Sequence, residues 1–263
     1  MRHYLRLYRV LIAQQIKCLV EYRGDFIIGL ASFFVTQFAN ILFINIIFNE
    51  IPVLDGWGYE EILFIYGFSL IPKGLDNLLT NNLWNFAGSF IKEGELDKYL
   101  TKPISPLLYI IMEEVQFDAI GELFLGGFLT TYSYSKLGLS FEPIQIILLI
   151  IAFIFSLMIF TGIKIAIASL AFWFKESSSI LHLVYMASDF VTYPVSIYTK
   201  AIRLLITYII PFAFTSYFPC EYLLRGGNPV FNIGGTVIAG SVILAVSLLI
   251  WRKGLGAYES AGS

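Results

Sequence analysis

Apolar residues fall in long blocks along this chain, and most charged residues are gathered between them. Residues 26–48 read FIIGLASFFVTQFANILFINIIF, 23 residues without one ionisable side chain. A helix rises about 1.5 Å per residue, so this block is long enough to cross the hydrocarbon core of a bilayer. The repeated pattern predicts six transmembrane helices, at about 25–48, 61–84, 106–132, 144–172, 178–196 and 230–251. The third is long enough to project from the membrane. The expected fold is an all-α polytopic membrane protein whose transmembrane domain covers 25–251.

The segments outside these blocks carry their own patterns. In residues 1–24, Arg2, Arg6, Arg9 and Lys17 fit one helical face, and Leu5, Tyr8, Ile12, Ile16 and Leu19 fit another. That pattern predicts an N-terminal amphipathic helix lying in the cytoplasmic interface. An ordinary soluble lead-in helix is the alternative, but this one runs directly into a span. No compact apolar h-region marks a cleavable signal peptide.

Residues 197–228 contain LLITYIIPFAF but also Lys200, Arg203, Pro211, Pro219, Arg225 and the turn Gly226-Gly227-Asn228. They predict short re-entrant helices on the outer side before the last span. Such backbone is tolerated only where protein shields it. The rival is a seventh span.

Charge then sets orientation. With the N-terminus inside, the inner segments hold 11 Lys and Arg residues and the outer segments hold 4. The first outer loop, NEIPVLDGWGYEE, holds none. The positive-inside rule therefore places both termini, including the tail 252–263, in the cytoplasm, and favours an even number of spans.

Composition agrees. Apolar residues make up 57% of the chain, charged residues 14%, and the mean hydropathy is +0.76. Soluble domains carry roughly a quarter charged residues. The net charge of −2, with no basic–aromatic interleaving, points away from nucleic acid. Cys18 and Cys220 fall on opposite membrane faces and lack metal-ligand spacing. His3 and His182 have no nucleophile or acid at recognisable spacing, and Glu113 and Glu114 fall on different helix faces. Neither a catalytic constellation nor a metal site is expected.

The most informative polar stretch is the cytoplasmic loop 88–105, within GSFIKEGELDKYLTKPISPLLY. Gly94 and Pro103 bound about two helical turns. Leu96, Tyr99 and Leu100 are its apolar residues, and Glu93, Asp97 and Lys98 form a polar rim. Such a piece suits docking in a groove of another protein, and it equally suits a solvated connector.

The phrase Gly94-Glu95-Leu96-Asp97, followed by Leu100-Thr101-Lys102-Pro103-Ile104-Ser105-Pro106, resembles the cytoplasmic loop of permease subunits in a bacterial family of type-2 ATP-binding-cassette (ABC) exporters. Tyr193-Pro194-Val195-Ser196-Ile197-Tyr198, then Arg203 and Ile210-Pro211-Phe212-Ala213-Phe214, is similar to that family around span 5. The ending Trp251-Arg252-Lys253-Gly254-Leu255, then Tyr258-Glu259-Ser260-Ala261-Gly262-Ser263, is similar to its C-terminus. The resemblance implies six spans, an interfacial N-terminal helix and cytoplasmic termini in the bacterial cytoplasmic membrane. It also implies a second permease, identical or homologous, over two ATPase subunits that bind ATP and Mg. Residues 92–103 would then contain the helix that seats in the ATPase. This chain has no G-x-x-x-x-G-K-[ST] sequence, so if ATP powers transport a separate subunit must bind it.

Ionisable groups inside spans are costly, roughly 2.5–3.5 kcal/mol each on insertion scales. Lys73 and Asp76 lie three apart and could neutralise each other. Glu114, Asp118 and Glu122 make an acidic stripe along the third span, Lys164 lies in the fourth and Asp189 in the fifth. Two readings remain open: interhelical pairing, for example Lys164 with Asp118, or a polar translocation path or proton relay. The functional expectation is the membrane subunit of an ABC exporter. A secondary transporter driven by ions through the buried acids is the alternative, and an intramembrane enzyme acting on lipid is a third.

Overall fold

The structure is a computed structural model that describes residues 2–259, with side chains from Leu7 onward. Met1, the side chains of Arg2, Leu5 and Arg6, and the last four residues of the C-terminal phrase lie outside the described residues. The chain is 81% helical, and the described residues form no strand.

The first helix, α1 (Arg2–Glu21), turns at Tyr22 into α2 (Arg23–Glu50). The 51–58 loop then leads to α3 (Tyr59–Thr80), where Glu61 accepts the Gly58 amide at 2.8 Å and closes the helix start. The helical path continues through the single turn α4 (Asn82–Asn85) and a π-helical turn, Phe86–Phe90. After the loop come α5 (Leu96–Leu100), α6 (Pro106–Glu113) and α7 (Ile120–Lys136). Next is α8 (Pro143–Ala168), which runs into α9 (Ala171–Phe174). Then follow α10 (Ser178–Met186), α11 (Lys200–Leu204), α12 (Tyr217–Arg225) and α13 (Pro229–Gly256). Pro143 and Pro229 sit in the first turns of α8 and α13, where the missing amide costs nothing.

Four of these stretches are long and apolar enough to cross a membrane: α2, α3, the combined Pro143–Phe174 and α13. The third and fifth expected spans differ from the sequence reading. The third is broken: α6 ends at Glu113, the backbone is extended at Glu114, a 3-10 turn covers Phe117–Ala119, and α7 restarts at Ile120. No proline or glycine forces this. The freed backbone groups are instead taken up by neighbours. Gln15 of α1 donates to the Glu113 carbonyl and accepts the Val115 amide at 2.7 Å. The Gln116 amide reaches the Leu78 carbonyl at 3.2 Å, and Asn82 donates to the Ile110 carbonyl at 2.9 Å. The fifth stretch holds only α10 and a 3-10 segment, Ala187–Thr192, before Pro194.

The segment 197–228 forms short pieces, with no long apolar helix. α11 passes into a π-helical turn, Leu205–Ile209, and Pro211 interrupts the chain. A 3-10 turn, Phe212–Thr215, then leads to α12, which ends at Gly226 with φ of +65°. The segment is tied to its neighbours in both directions: Thr236 of α13 donates to its Phe214 carbonyl at 3.0 Å, and its own Ser216 hydroxyl donates to the Val191 carbonyl at 2.6 Å.

α3 is the central helix, with 67% of its apolar window buried, against 6% for α2. It packs along α7 and also touches α8, which packs along α13. The α3–α7 contact needs small residues. A Cβ on Gly126 would lie 2.8 Å from the Gly67 carbonyl oxygen. Helices in lipid associate by such close packing, because burying apolar surface from lipid gains little. At the end remote from the 88–105 loop, Arg225 holds Glu61 through contacts of 3.1 and 3.0 Å, donates to the Gly56 carbonyl at 2.7 Å and lies over the Trp57 ring. This clamp ties the 51–58 loop to α12.

Candidate functional site

The intramembrane charges sort themselves across helices. Asp76 and Lys164 form an ion pair at 2.7 Å with both side chains fully buried. Asp76 also accepts from Thr80 and Thr161 at 2.8 Å each and from the Tyr185 hydroxyl. Lys164 donates to Thr80 at 3.1 Å. The pair thus ties α3, α8 and α10 together, with two partners on each carboxylate oxygen, a setting in which a buried ion pair is tolerable. Thr80, Thr161 and Tyr185 were not singled out in the sequence, because hydroxyls within apolar helices carry no positional signal.

Lys73 does not pair with Asp76, its neighbour three residues on. It reaches Asp189 at 2.8 Å, and this second pair is open: the side chains are 27% and 67% exposed. The pair borders a hollow of about 200 Å³ that also receives Gln37 and Asn40 from α2 and Tyr66 and Ser69 from α3. The Tyr66 hydroxyl donates to Gln37. A polar, partly open surface therefore lies beside α2.

The expected acidic stripe is not continuous, because the break between α6 and α7 separates its members. Glu114 accepts from Asn81 at 3.1 Å and Asn85 at 2.8 Å. Asp118 faces α2, where a Cβ on Gly29 would lie 2.6 Å from its carboxylate, so it does not meet Lys164. Glu122 accepts from Asn77 at 2.9 Å through one oxygen, while the other is buried with no hydrogen-bond partner among the described residues. Glu113, Glu114 and Asp118 line a cleft of about 690 Å³ with Gln14, Gln15 and Asp25. No group of His, Cys, Asp and Glu suited to a metal ion occurs among the described residues.

In the 88–105 loop the expected docking face is corrected. Leu96 and Tyr99 are buried in their own chain, so they are not presented to a partner. Gly94, with φ of +73°, turns the chain so that this face of α5 folds back on the bundle. Tyr99 stacks on Phe90 with ring centroids 5.4 Å apart, and its hydroxyl donates to Glu113. Burial pushes the Tyr99 hydroxyl well above its ordinary pKa, and the adjacent carboxylate adds to this, so it remains a donor. Leu100 stays 45% exposed. Glu93 and Lys98 are also exposed, with Lys98 2.9 Å from Glu95 and over the Tyr99 ring.

The chain's last described turn completes this end. Tyr258 donates to Asp97 at 3.1 Å. Trp251, Phe172 and Phe86 pack together, with Phe86 and Trp251 centroids 4.9 Å apart. The outward face of the loop is therefore set by Glu93, Lys98 and Leu100, and its inward face is tied to both α6 and the end of α13.

Among curated proteins and among solved structures, nothing matches the chain. A family model described as ABC-2 family transporter protein matches residues 34–262. That match runs from within α2 through α13 and takes in the buried ion pair, the open pair and the folded-back loop. With these apolar helices it makes the chain a multi-pass membrane protein, an ABC transporter permease, and the chain belongs to the ABC-2 transporter family.

Proposed function

We propose that this chain is the membrane subunit of an ABC exporter in the bacterial cytoplasmic membrane and contributes half of a translocation path. The observation that carries this is the open Lys73–Asp189 pair, with Lys73 inside the apolar helix α3. A charged pair facing hydrocarbon would be heavily penalised, so this surface must meet water or protein. A second permease, identical or homologous, facing the same surface would enclose a polar lumen between the two copies. In this reading the interrupted third and fifth stretches still cross the membrane, giving six spans. The segment 197–228 is re-entrant on the outer side, and both termini are cytoplasmic.

ATP and Mg are bound by two separate ATPase subunits. The exposed face Glu93, Lys98 and Leu100 is where those subunits seat, with Leu96, Tyr99 and Asp97 holding the loop to the bundle behind it. Nucleotide closes the ATPases because the closed pair has the higher affinity for it, and the loops transmit that closure to the permeases.

The test pairs single cysteines at Glu93, Lys98 and Leu100 with surface cysteines on the co-expressed ATPase. Crosslinks at Leu100, with ATP-dependent export by the reconstituted complex, support the reading. Absence of any crosslink together with normal export by a Leu100→Asp variant overturns it.

The unpartnered oxygen of Glu122 favours a second reading, an ion-coupled transporter in which that acid carries a proton. Proton-dependent uptake by the permease alone, lost in Glu122→Gln, would select it over the first.

A further inference from the structure

Two hollows adjoin on the 197–228 side of the bundle. One, of about 580 Å³, is bordered by Lys200, Arg203 and Ser196. The other, of about 600 Å³, runs along α13 past Ile238 and Val242. Thr207, Tyr208 and Phe231 line both, so they form a single groove with a cationic end and an apolar end.

The cationic end is unspent. Arg203 donates one nitrogen to the Ser196 carbonyl at 2.6 Å and to that of Tyr198 at 3.4 Å, and has no carboxylate within ion-pair distance among the described residues. Lys200 is exposed and likewise has none. Arg203 and Lys200 are both exposed where they border the hollow. Two such cations side by side select an anionic group. The apolar end, with Ile238 at 65% and Val242 at 54% exposure, selects a hydrocarbon chain.

We propose that this groove binds an anionic phospholipid of the outer leaflet, its phosphate at Lys200 and Arg203 and one acyl chain along α13. The leaflet rests on the reading of 197–228 as an outer segment. The binding itself rests on the groove and needs neither transport nor an ATPase.

Native mass spectrometry of the detergent-purified chain tests this, with phosphatidylglycerol, phosphatidylcholine or inorganic phosphate added. Wild type should retain phosphatidylglycerol in excess over phosphatidylcholine, and inorganic phosphate should not displace it. Lys200→Gln with Arg203→Gln should lower phosphatidylglycerol occupancy roughly tenfold or more, the order expected for two basic side chains at a membrane surface, with phosphatidylcholine unchanged. Lys200→Gln alone should give part of that loss and leaves the Arg203 contacts in place. Ile238→Ser with Val242→Ser should also lower occupancy while leaving Tm in phosphatidylcholine unchanged. Equal phosphatidylglycerol occupancy in wild type and the charge variants overturns the proposal, as does displacement by inorganic phosphate. Labelling of Lys200→Cys by an impermeant maleimide checks the side: reaction from outside intact cells supports the outer leaflet. Reaction only from the cytoplasmic face overturns that assignment without touching the exporter's coupling face.

Discussion

Asp76 and Lys164 meet at 2.7 Å with neither side chain reaching the surface, and three further hydroxyls close around the carboxylate. Removing one partner strands a buried charge. Asp76→Asn should destabilise the detergent-purified protein by about 3–5 kcal/mol, seen as lower yield and Tm. Asp76→Leu with Lys164→Leu should recover much of that loss, because the uncompensated charge is gone. If Asp76→Asn keeps wild-type yield and Tm, the pair is not structural.

Gln15 spans the gap in the third stretch by serving one carbonyl and one amide. Gln15→Leu leaves both unmet and should cost about 1–3 kcal/mol of stability, read as a drop in Tm. Gln14, exposed on the same helix, provides the control: Gln14→Leu should be near neutral. Equal Tm values for the two variants would mean the break holds itself.

The two leucines of α5 should separate folding from coupling. Leu96→Asp puts a charge in a fully buried position and should abolish accumulation of folded protein. Leu100→Asp alters an exposed face, so the permease should reach the membrane in normal amount with ATP hydrolysis no longer driving export. Normal accumulation of Leu96→Asp would contradict the folded-back loop.

Asp189 is the more exposed member of the open pair, at 67%. Asp189→Asn should leave Tm within a few degrees of wild type yet lower export by about tenfold or more, as loss of a positioned charge in a path would. Export at the wild-type rate would remove the pair from the path.

Much of the fold was legible. A block such as 26–48 announces itself by length and lack of charge, and α2, α3, α8 and α13 followed. The breaks did not, because nothing between Glu113 and Ile120 disfavours helix. The interruption exists through Gln15, some hundred residues away, and a distant hydrogen bond leaves no local trace. The charge partners were misread for a related reason. Lys73 and Asp76 are neighbours in sequence, but tertiary packing turns one toward Asp189 and the other toward Lys164. In α5, composition gave the apolar residues correctly and could not say whether Leu96 and Tyr99 face a partner or their own bundle. Gly94 decided that, by turning the loop back.

α2 has only 6% of its apolar window covered by the rest of the chain. Its place in the membrane is therefore secured by partitioning into lipid and hardly at all by the fold. Synthesised ahead of α3, α8 and α13, it can insert without waiting for them. It then remains an unmated wall bearing Gln37 and Asn40. Under the proposed pairing, a permease without its counterpart would leave the hollow that Gln37 and Asn40 line open to lipid, so an orphan subunit would differ from an assembled one in the polar surface it exposes.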